Sequence, residues 1–172
     1  ANVAPVLAVD TAQLGGMYAG KITLLATEAG VGVRHAGKMY ASAGDVIITA
    51  NGQLHNAGDI ASHGQTQIDT SSGIQNTGSI TAGGNTTLTT HGHISNSGAI
   101  HAQNNTQLST RGNIDNSGTI TARGDTTLHA TGATSHISAH RGAVLAAGVQ
   151  DDGNLSNTGT LTTYATQTIT AQ

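Results

Sequence analysis

Aliphatic residues fall on a fixed grid along this chain. From Asp45 the sequence divides without a gap into four blocks of twenty, DVIITANGQLHNAGDIASHG, QTQIDTSSGIQNTGSITAGG, NTTLTTHGHISNSGAIHAQN and NTQLSTRGNIDNSGTITARG, spanning residues 45–124. Each block repeats three apolar stations: Ile48, Leu54 and Ile60, then Ile68, Ile74 and Ile80, then Leu88, Ile94 and Ile100, then Leu108, Ile114 and Ile120. The separations are 6, 6 and 8 residues. A helix would place apolar residues three and four apart, and that spacing is absent. Even separations keep all three stations on one side of an extended chain. An Asn-x-Gly pair follows each second station, at Asn56/Gly58, Asn76/Gly78, Asn96/Gly98 and Asn116/Gly118, and again at Asn157/Gly159. Asn and Gly tolerate positive φ, which lets an extended chain turn a corner.

Short strands separated by corners at constant length describe a coil, and coils stacked about 4.8 Å apart pair as parallel sheets. The expected fold is therefore all-β, a right-handed parallel β-helix (solenoid) of about eight coils of about twenty residues. Three buried aliphatics contribute roughly 5–9 kcal/mol. Ordering twenty residues costs on the order of 20–40 kcal/mol, so a coil is stable only against its neighbours. Asn56, Asn76, Asn96 and Asn116 share one repeat position and are expected to stack as an amide ladder, with Asn157 continuing it. Thr66, Thr86, Thr106 and Thr126 share another.

The expected organisation is an irregular lead-in over residues 1–16 followed by β-helix over 17–172. Within it, regular coils occupy 45–124 and an irregular coil or loop occupies 125–152, where Leu128 and Ile137 stand nine apart. Coils resume over 149–172 on Val149, Leu155 and Leu161. Upstream, Val33, His35, Gly37 and Met39 resemble a coil with His35 in the Asn position. Strand edges exposed at the ends of an isolated fragment are expected to associate end to end.

Composition narrows the function. Leu, Ile and Val total 32 of 172 residues, a level seen in disordered chains, but the net charge of −3 lacks the repulsion that disorder needs. Tyr18, Tyr40 and Tyr164 are the only aromatics, and there is no Cys, which excludes disulfides and thiolate metal sites. No apolar run approaches the roughly 20 residues of a membrane-spanning helix. Six cations and few aromatics exclude a nucleic-acid surface. With no initiator Met and no basic-then-apolar leader, the sequence is expected to be an excerpt of a longer protein.

Candidate chemistry is sparse. Arg123-Gly124-Asp125 spells an integrin-type recognition tripeptide at an expected corner, where equivalent positions read AGGNTTL, AQNNTQL and ARGDTTL. It is the candidate receptor contact. His91 and His93 lie two apart on one expected strand face, but no column of the regular coils stacks two His, and a metal needs three or four converging ligands. His136 and His140 fall in the irregular stretch. Glycan-cleaving β-helices need paired carboxylates, whereas Asp45, Asp59, Asp69, Asp115 and Asp125 form no column of adjacent acids, and Asp151 and Asp152 point to opposite faces if extended. Outward positions mix Gln67, Asp69, Thr87, Thr89, Gln107 and Ser109, not the uniform Thr of an ice-binding array. No enzyme activity, cofactor or metal is expected.

The segment LGGMYAGKI at Leu14–Ile22, joined to TEAGVGVR at Thr27–Arg34 and followed by the twenty-residue Asn-x-Gly repeats, resembles the filamentous haemagglutinin family of two-partner secretion exoproteins. That family includes filamentous adhesins and contact-dependent growth inhibition exoproteins. Members often carry Asn after the Val-Arg, where this chain has His35. The resemblance covers nearly the whole chain and implies a β-helical stalk, secreted to the bacterial cell surface through an outer-membrane partner that recognises an N-terminal transport domain. The Asn-Pro motifs of that domain are missing and the only proline is Pro5, so the piece is expected to be the start of the stalk. The absence of Cys suits a chain that crosses the outer membrane unfolded. The implied function is a non-catalytic structural stalk segment of a large exoprotein, adhesin or toxin carrier. The alternative is an adhesive module contacting host glycans or receptors.

Overall fold

In the middle coils, inward and outward side chains alternate along each strand. Thr66–Thr70 reads buried, exposed, buried, exposed, buried, and Thr86–Thr90 and Thr126–Ala130 repeat the inward positions. β-Branched Thr and Ile suit such a half-buried pleated surface. The computed structural model describes residues 7–10, 15–131, 136–139, 144–146, 155–158, 160–163 and 168–170. His140, Val149, Asp151 and Asp152, and residues 1–6 and 11–14 of the expected lead-in, lie outside them.

Each coil contributes one strand to each of three parallel sheets. The first sheet runs from Leu7–Asp10 through Gly32–His35, Gln53–Asn56, Gly73–Asn76, His93–Asn96 and Ile114–Asn116 to His136–Ala139 and Thr160–Thr163. The second holds Gly16–Ala19, Lys38–Ala41, Asp59–Ser62 and their successors, ending at Thr168–Thr170. The third runs from Ile22–Ala26 and Val46–Ala50 to Leu155–Thr158. Among the described residues the sheets contain 8, 8 and 7 strands, and the continuous stretch 15–131 holds about six turns of the parallel β-solenoid.

Register in the regular coils is a step of twenty residues. Ile68 pairs with Ile48 and Leu88, Ile74 with Leu54 and Ile94, and Ile80 with Ile60 and Ile100. All twelve stations from Ile48 to Ile120 are buried, and they form one axial cluster that Met39 and Val33 extend upstream. The interior holds more than three residues per coil. Thr66, Thr70, Asn76 and Ala82 also point inward, so aliphatic columns are flanked by polar ones near the corners.

Coil length changes outside the central coils, and between Leu7 and Val9 the pairing with Gly32–His35 shifts register within the strand itself. Leu24 pairs with Ile48, twenty-four residues on, and part of the excess is the turn Thr27–Val31, where Val31 donates to the carbonyl of Glu28 and Gly30 takes φ 77°. Regular pairing also continues past Gly124, since Leu128 lies opposite Leu108. Ile137 then lies opposite Ile114, so the strands Thr126–Ala130 and His136–Ala139 keep their pairing although Leu128 and Ile137 stand nine apart.

Candidate functional site

The repeated polar positions form columns along the solenoid axis. Asn56 donates from Nδ2 to Oδ1 of Asn76 at 2.8 Å, Asn76 likewise to Asn96 at 2.8 Å, and Asn96 to Asn116 at 2.8 Å. The same amides donate to the carbonyls of Ser79, Ala99 and Thr119 at 3.0, 3.1 and 3.0 Å, which ties the first sheet to the second across the corner. Oδ1 of Asn56 and of Asn116 accepts from the amides of Gly58 and Gly118 at 3.2 Å. These four side chains are essentially inaccessible, so their hydrogen bonds offset a desolvation cost that would otherwise be severe. Asn157 does not stand in this column. Strand pairing places it opposite Leu128 in the third sheet, twenty-nine residues on, so the added length of sequence upstream shifts the phase of its Asn-x-Gly pair.

The glycines of these pairs have a different role from the one their chemistry suggests. Among the described glycines, only Gly15, Gly30 and Gly73 have positive φ. Gly58, Gly78, Gly98 and Gly118 are required by close approach. A Cβ on each would overlap the carbonyl oxygen of Gly37, Gly58, Gly78 and Gly98 respectively, one coil earlier.

Two threonine columns line the other corners. Thr66, Thr86 and Thr106 donate from Oγ1 to the carbonyls of Thr81, His101 and Thr121 at 2.9, 2.9 and 2.8 Å. Thr70, Thr90 and Thr110 form a second buried column, in which Thr70 donates to Thr90 at 2.8 Å and Thr110 donates to the carbonyl of Gly92. This second set holds no aliphatic residue and so lies outside the three-station pattern, although its twenty-residue recurrence is as regular as the first.

Arg123, Gly124 and Asp125 sit at a corner, half-buried, with their backbone tied to the preceding coil. The amides of Arg123 and Gly124 donate to the carbonyls of Ala102 and Asn104 at 3.1 and 2.8 Å. The amide of Asp125 donates to Oδ1 of Asn105 at 2.8 Å. Asn85 and Asp45 serve the amides of Asn105 and Gln65 in the same way, at 3.1 and 2.7 Å. Asp125 thus occupies a structural corner column that also contains Asp45, Asn85 and Asn105. Arg123 reaches Oε1 of Gln103 at 3.4 Å.

The described histidines form no cluster of three with one another or with acids. His91 lies in a corner and only His93 begins the strand His93–Asn96, so the two do not share a strand face. Nδ1 of His93 accepts the amide of Asn113 at 2.9 Å. His101 contacts Thr121 Oγ1 at 2.7 Å, and burial, followed by the charge of Arg123, lowers its pKa. Among the described residues, no three His, Asp or Glu converge as a metal site.

Haemagglutinin repeats match the chain at residues 2–58, 41–98, 59–118, 93–143 and 116–172. The chain belongs to the haemagglutinin-repeat family. Among curated relatives of this haemagglutinin-repeat chain, Toxin CdiA of Yersinia pestis is 63% identical over 57 residues, 33% of the chain and 2% of that protein. The tRNA nuclease CdiA-2 of Burkholderia pseudomallei is 53% identical over 51 residues, 30% of the chain and 2% of its own length. The 16S rRNA endonuclease CdiA of Enterobacter cloacae is 45% identical over 53 residues, 31% of the chain and 2% of its own length. No solved structure matches the chain. The repeats and the CdiA relatives bear out the resemblance to filamentous haemagglutinin and contact-dependent growth inhibition exoproteins carried by Leu14–Ile22 and Thr27–Arg34.

Proposed function

We propose that this haemagglutinin-repeat chain is a non-catalytic stalk segment of a large secreted exoprotein, holding distal domains away from a bacterial surface. The observation that carries the reading is the axial register of the central coils. From Val46 to Ala130 the three sheets, and from Asn56 to Asn116 the amide ladder, advance by twenty residues per coil. Such a solenoid makes a stiff spacer whose length scales with repeat number. Its resident chemistry is spent internally, since the Asn and Thr columns bind other parts of the same shaft. The family relationship supports an outer-membrane two-partner transporter as secretion partner, and secretion with surface association. The short shared length, about 2% of each CdiA relative, fits one segment within a much longer protein whose toxic activity is carried elsewhere.

Coil duplication in the full-length exoprotein tests the proposal. Repeating Thr86–Asn105 once should preserve secretion and distal activity and lengthen the shaft by one strand spacing, about 4.8 Å. Inserting half a coil at the same site should abolish both, because every inward residue beyond it loses its column. Secretion unaffected by the half-coil insertion, or distal activity lost on whole-coil duplication with secretion intact, would overturn the stalk assignment. Release of reducing ends from glycans by the isolated chain would overturn its non-catalytic character.

A further inference from the structure

Two of the three aromatic residues of the chain form an exposed pair on the second sheet. Tyr18 and Tyr40 are in register on the adjacent strands Gly16–Ala19 and Lys38–Ala41, with 66% and 42% of their surface accessible. The Tyr18 ring lies over Gly16, where a side chain would press into the ring. Beyond Tyr40 the column continues with Ala61 and Thr81, so the aromatic strip is two rungs long and then stops. Tyr18, Lys38, Tyr40, Asp59, Ala61 and Ser79 line a groove of ≈ 460 Å³.

The polar groups of this groove are placed by the shaft. Asp59 lies in register with Lys38 on one side and Ser79 on the other. The Ser79 hydroxyl donates to the Asp59 carboxylate at 2.9 Å, and the Asp59 backbone carbonyl accepts from His35 Nε2 at 2.9 Å. The groove therefore presents two aromatic side chains, one fixed carboxylate acceptor, one long-armed ammonium donor and no net charge.

We propose that this groove binds a neutral, β-linked hexose chain, one sugar to each tyrosine. Aromatic faces that keep a polar hydroxyl in water suit a ligand with an apolar CH face and a rim of hydroxyls. Adjacent strands of a sheet stand about 4.8 Å apart, close to the length of one β-linked hexose unit, so successive sugars fall on successive rungs. Asp59 accepts from vicinal sugar hydroxyls and Lys38 donates to a ring or hydroxyl oxygen, the small set of convergent polar groups that orients a ligand in a mainly apolar site. The cancelling charges of Lys38 and Asp59 disfavour phosphorylated or acidic ligands. This binding is separate from the spacer role and requires only that the Gly16–Ser79 face be folded.

The 172-residue chain contains no Trp and only three Tyr, so tyrosine emission and saturation-transfer NMR report on the site directly. Titration with glucose, cellobiose and cellotetraose should transfer saturation to sugar CH protons and change tyrosine emission. Affinity should rise five- to tenfold from glucose to cellobiose, roughly one further aromatic contact, and change less than twofold from cellobiose to cellotetraose. Tyr40→Ser and Asp59→Asn should each weaken cellobiose binding at least fivefold, while Leu25→Ser on the third sheet leaves it unchanged. Absence of transfer from all three sugars would overturn the proposal. So would transfer that survives in a Tyr18→Ser/Tyr40→Ser variant with an unchanged circular dichroism spectrum. If that variant lost only self-association, the rings would be covering a second copy of the chain and the glycan assignment would fail.

Discussion

His35 makes the hydrogen bond that Asn56 makes one coil later. Its Nε2 donates to the carbonyl of Asp59 at 2.9 Å, as Nδ2 of Asn56 donates to the carbonyl of Ser79 at 3.0 Å. His35 and Asn56 are in register, both are fully buried, and Asp59 and Ser79 are themselves in register. A carbonyl only accepts, so Nε2 carries the proton. Asn at this position can supply the same donor, whereas an aliphatic side chain supplies none. His35→Asn should hold stability within about 1 kcal/mol of the parent, and His35→Leu should lose about 1–3 kcal/mol by removing the side-chain donor to the part-buried carbonyl of Asp59. Urea unfolding of the two variants checks the difference, and equal losses would show that the imidazole acts by packing alone.

Interrupting the amide ladder should be costly from both sides. In Asn96→Leu, Asn76 loses its acceptor at 2.8 Å and Asn116 its donor at 2.8 Å, while the carbonyl of Thr119 loses a 3.0 Å bond. Losses of about 1–3 kcal/mol for each stranded buried group should lower the melting temperature by several degrees, measured by far-ultraviolet circular dichroism. An unchanged melting temperature would show that the ladder contributes register without stability.

Glycines of two kinds should respond differently. Gly98→Ala places a methyl against the carbonyl of Gly78 and should force the coils apart, with a loss of about 2 kcal/mol or more. Gly30 has open space around it and φ 77°. Gly30→Asn, which tolerates that conformation, should lose less than about 1 kcal/mol, and Gly30→Ala somewhat more. Thermal melts should place Gly30→Asn nearest the parent, Gly30→Ala lower and Gly98→Ala lowest.

His101 gives a pH dependence of known sign. Burial, then the charge of Arg123, holds its pKa below the ordinary 6.5. As pH falls through 6.5 the unfolded chain takes up the proton first, so this group's contribution is retained above that value. It is lost progressively down to the depressed folded value, below which the loss is constant. Replacement by Thr, the residue in register at Thr81 and Thr121, should remove that part of the acid-side slope in urea midpoints. A His101→Thr profile that parallels the parent from neutral to acid pH would refute the linkage.

The twelve aliphatic stations and the Asn56–Asn116 column were legible because both depend only on a repeat of constant length. Asn157 departs from the column for the converse reason. Its local Asn-x-Gly pattern is intact, but insertions between Leu128 and Leu155 move it into the third sheet, and a local motif carries no record of accumulated phase. At Gly58 and its equivalents the Asn-x-Gly pattern marks the right positions but not their cause, since the atom that excludes a side chain belongs to a residue twenty or twenty-one positions earlier. Thr70, Thr90 and Thr110 recur as clearly as the stations, but an aliphatic search passes over them. Tyr18 and Tyr40 are twenty-two residues apart, so the twenty-residue frame hides their pairing.

The three sheets stack coil upon coil, so their interstrand hydrogen bonds run along the length of the molecule. A pull on the two ends therefore loads these bonds by peeling them one rung at a time, whereas strands sheared past one another would share the force among many bonds. Under tension the molecule would pay out slack from its termini in increments of about one repeat, and it would rewind by docking each released loop onto the intact remainder. A solenoid built this way yields gradually under load and keeps a folded template for its own repair.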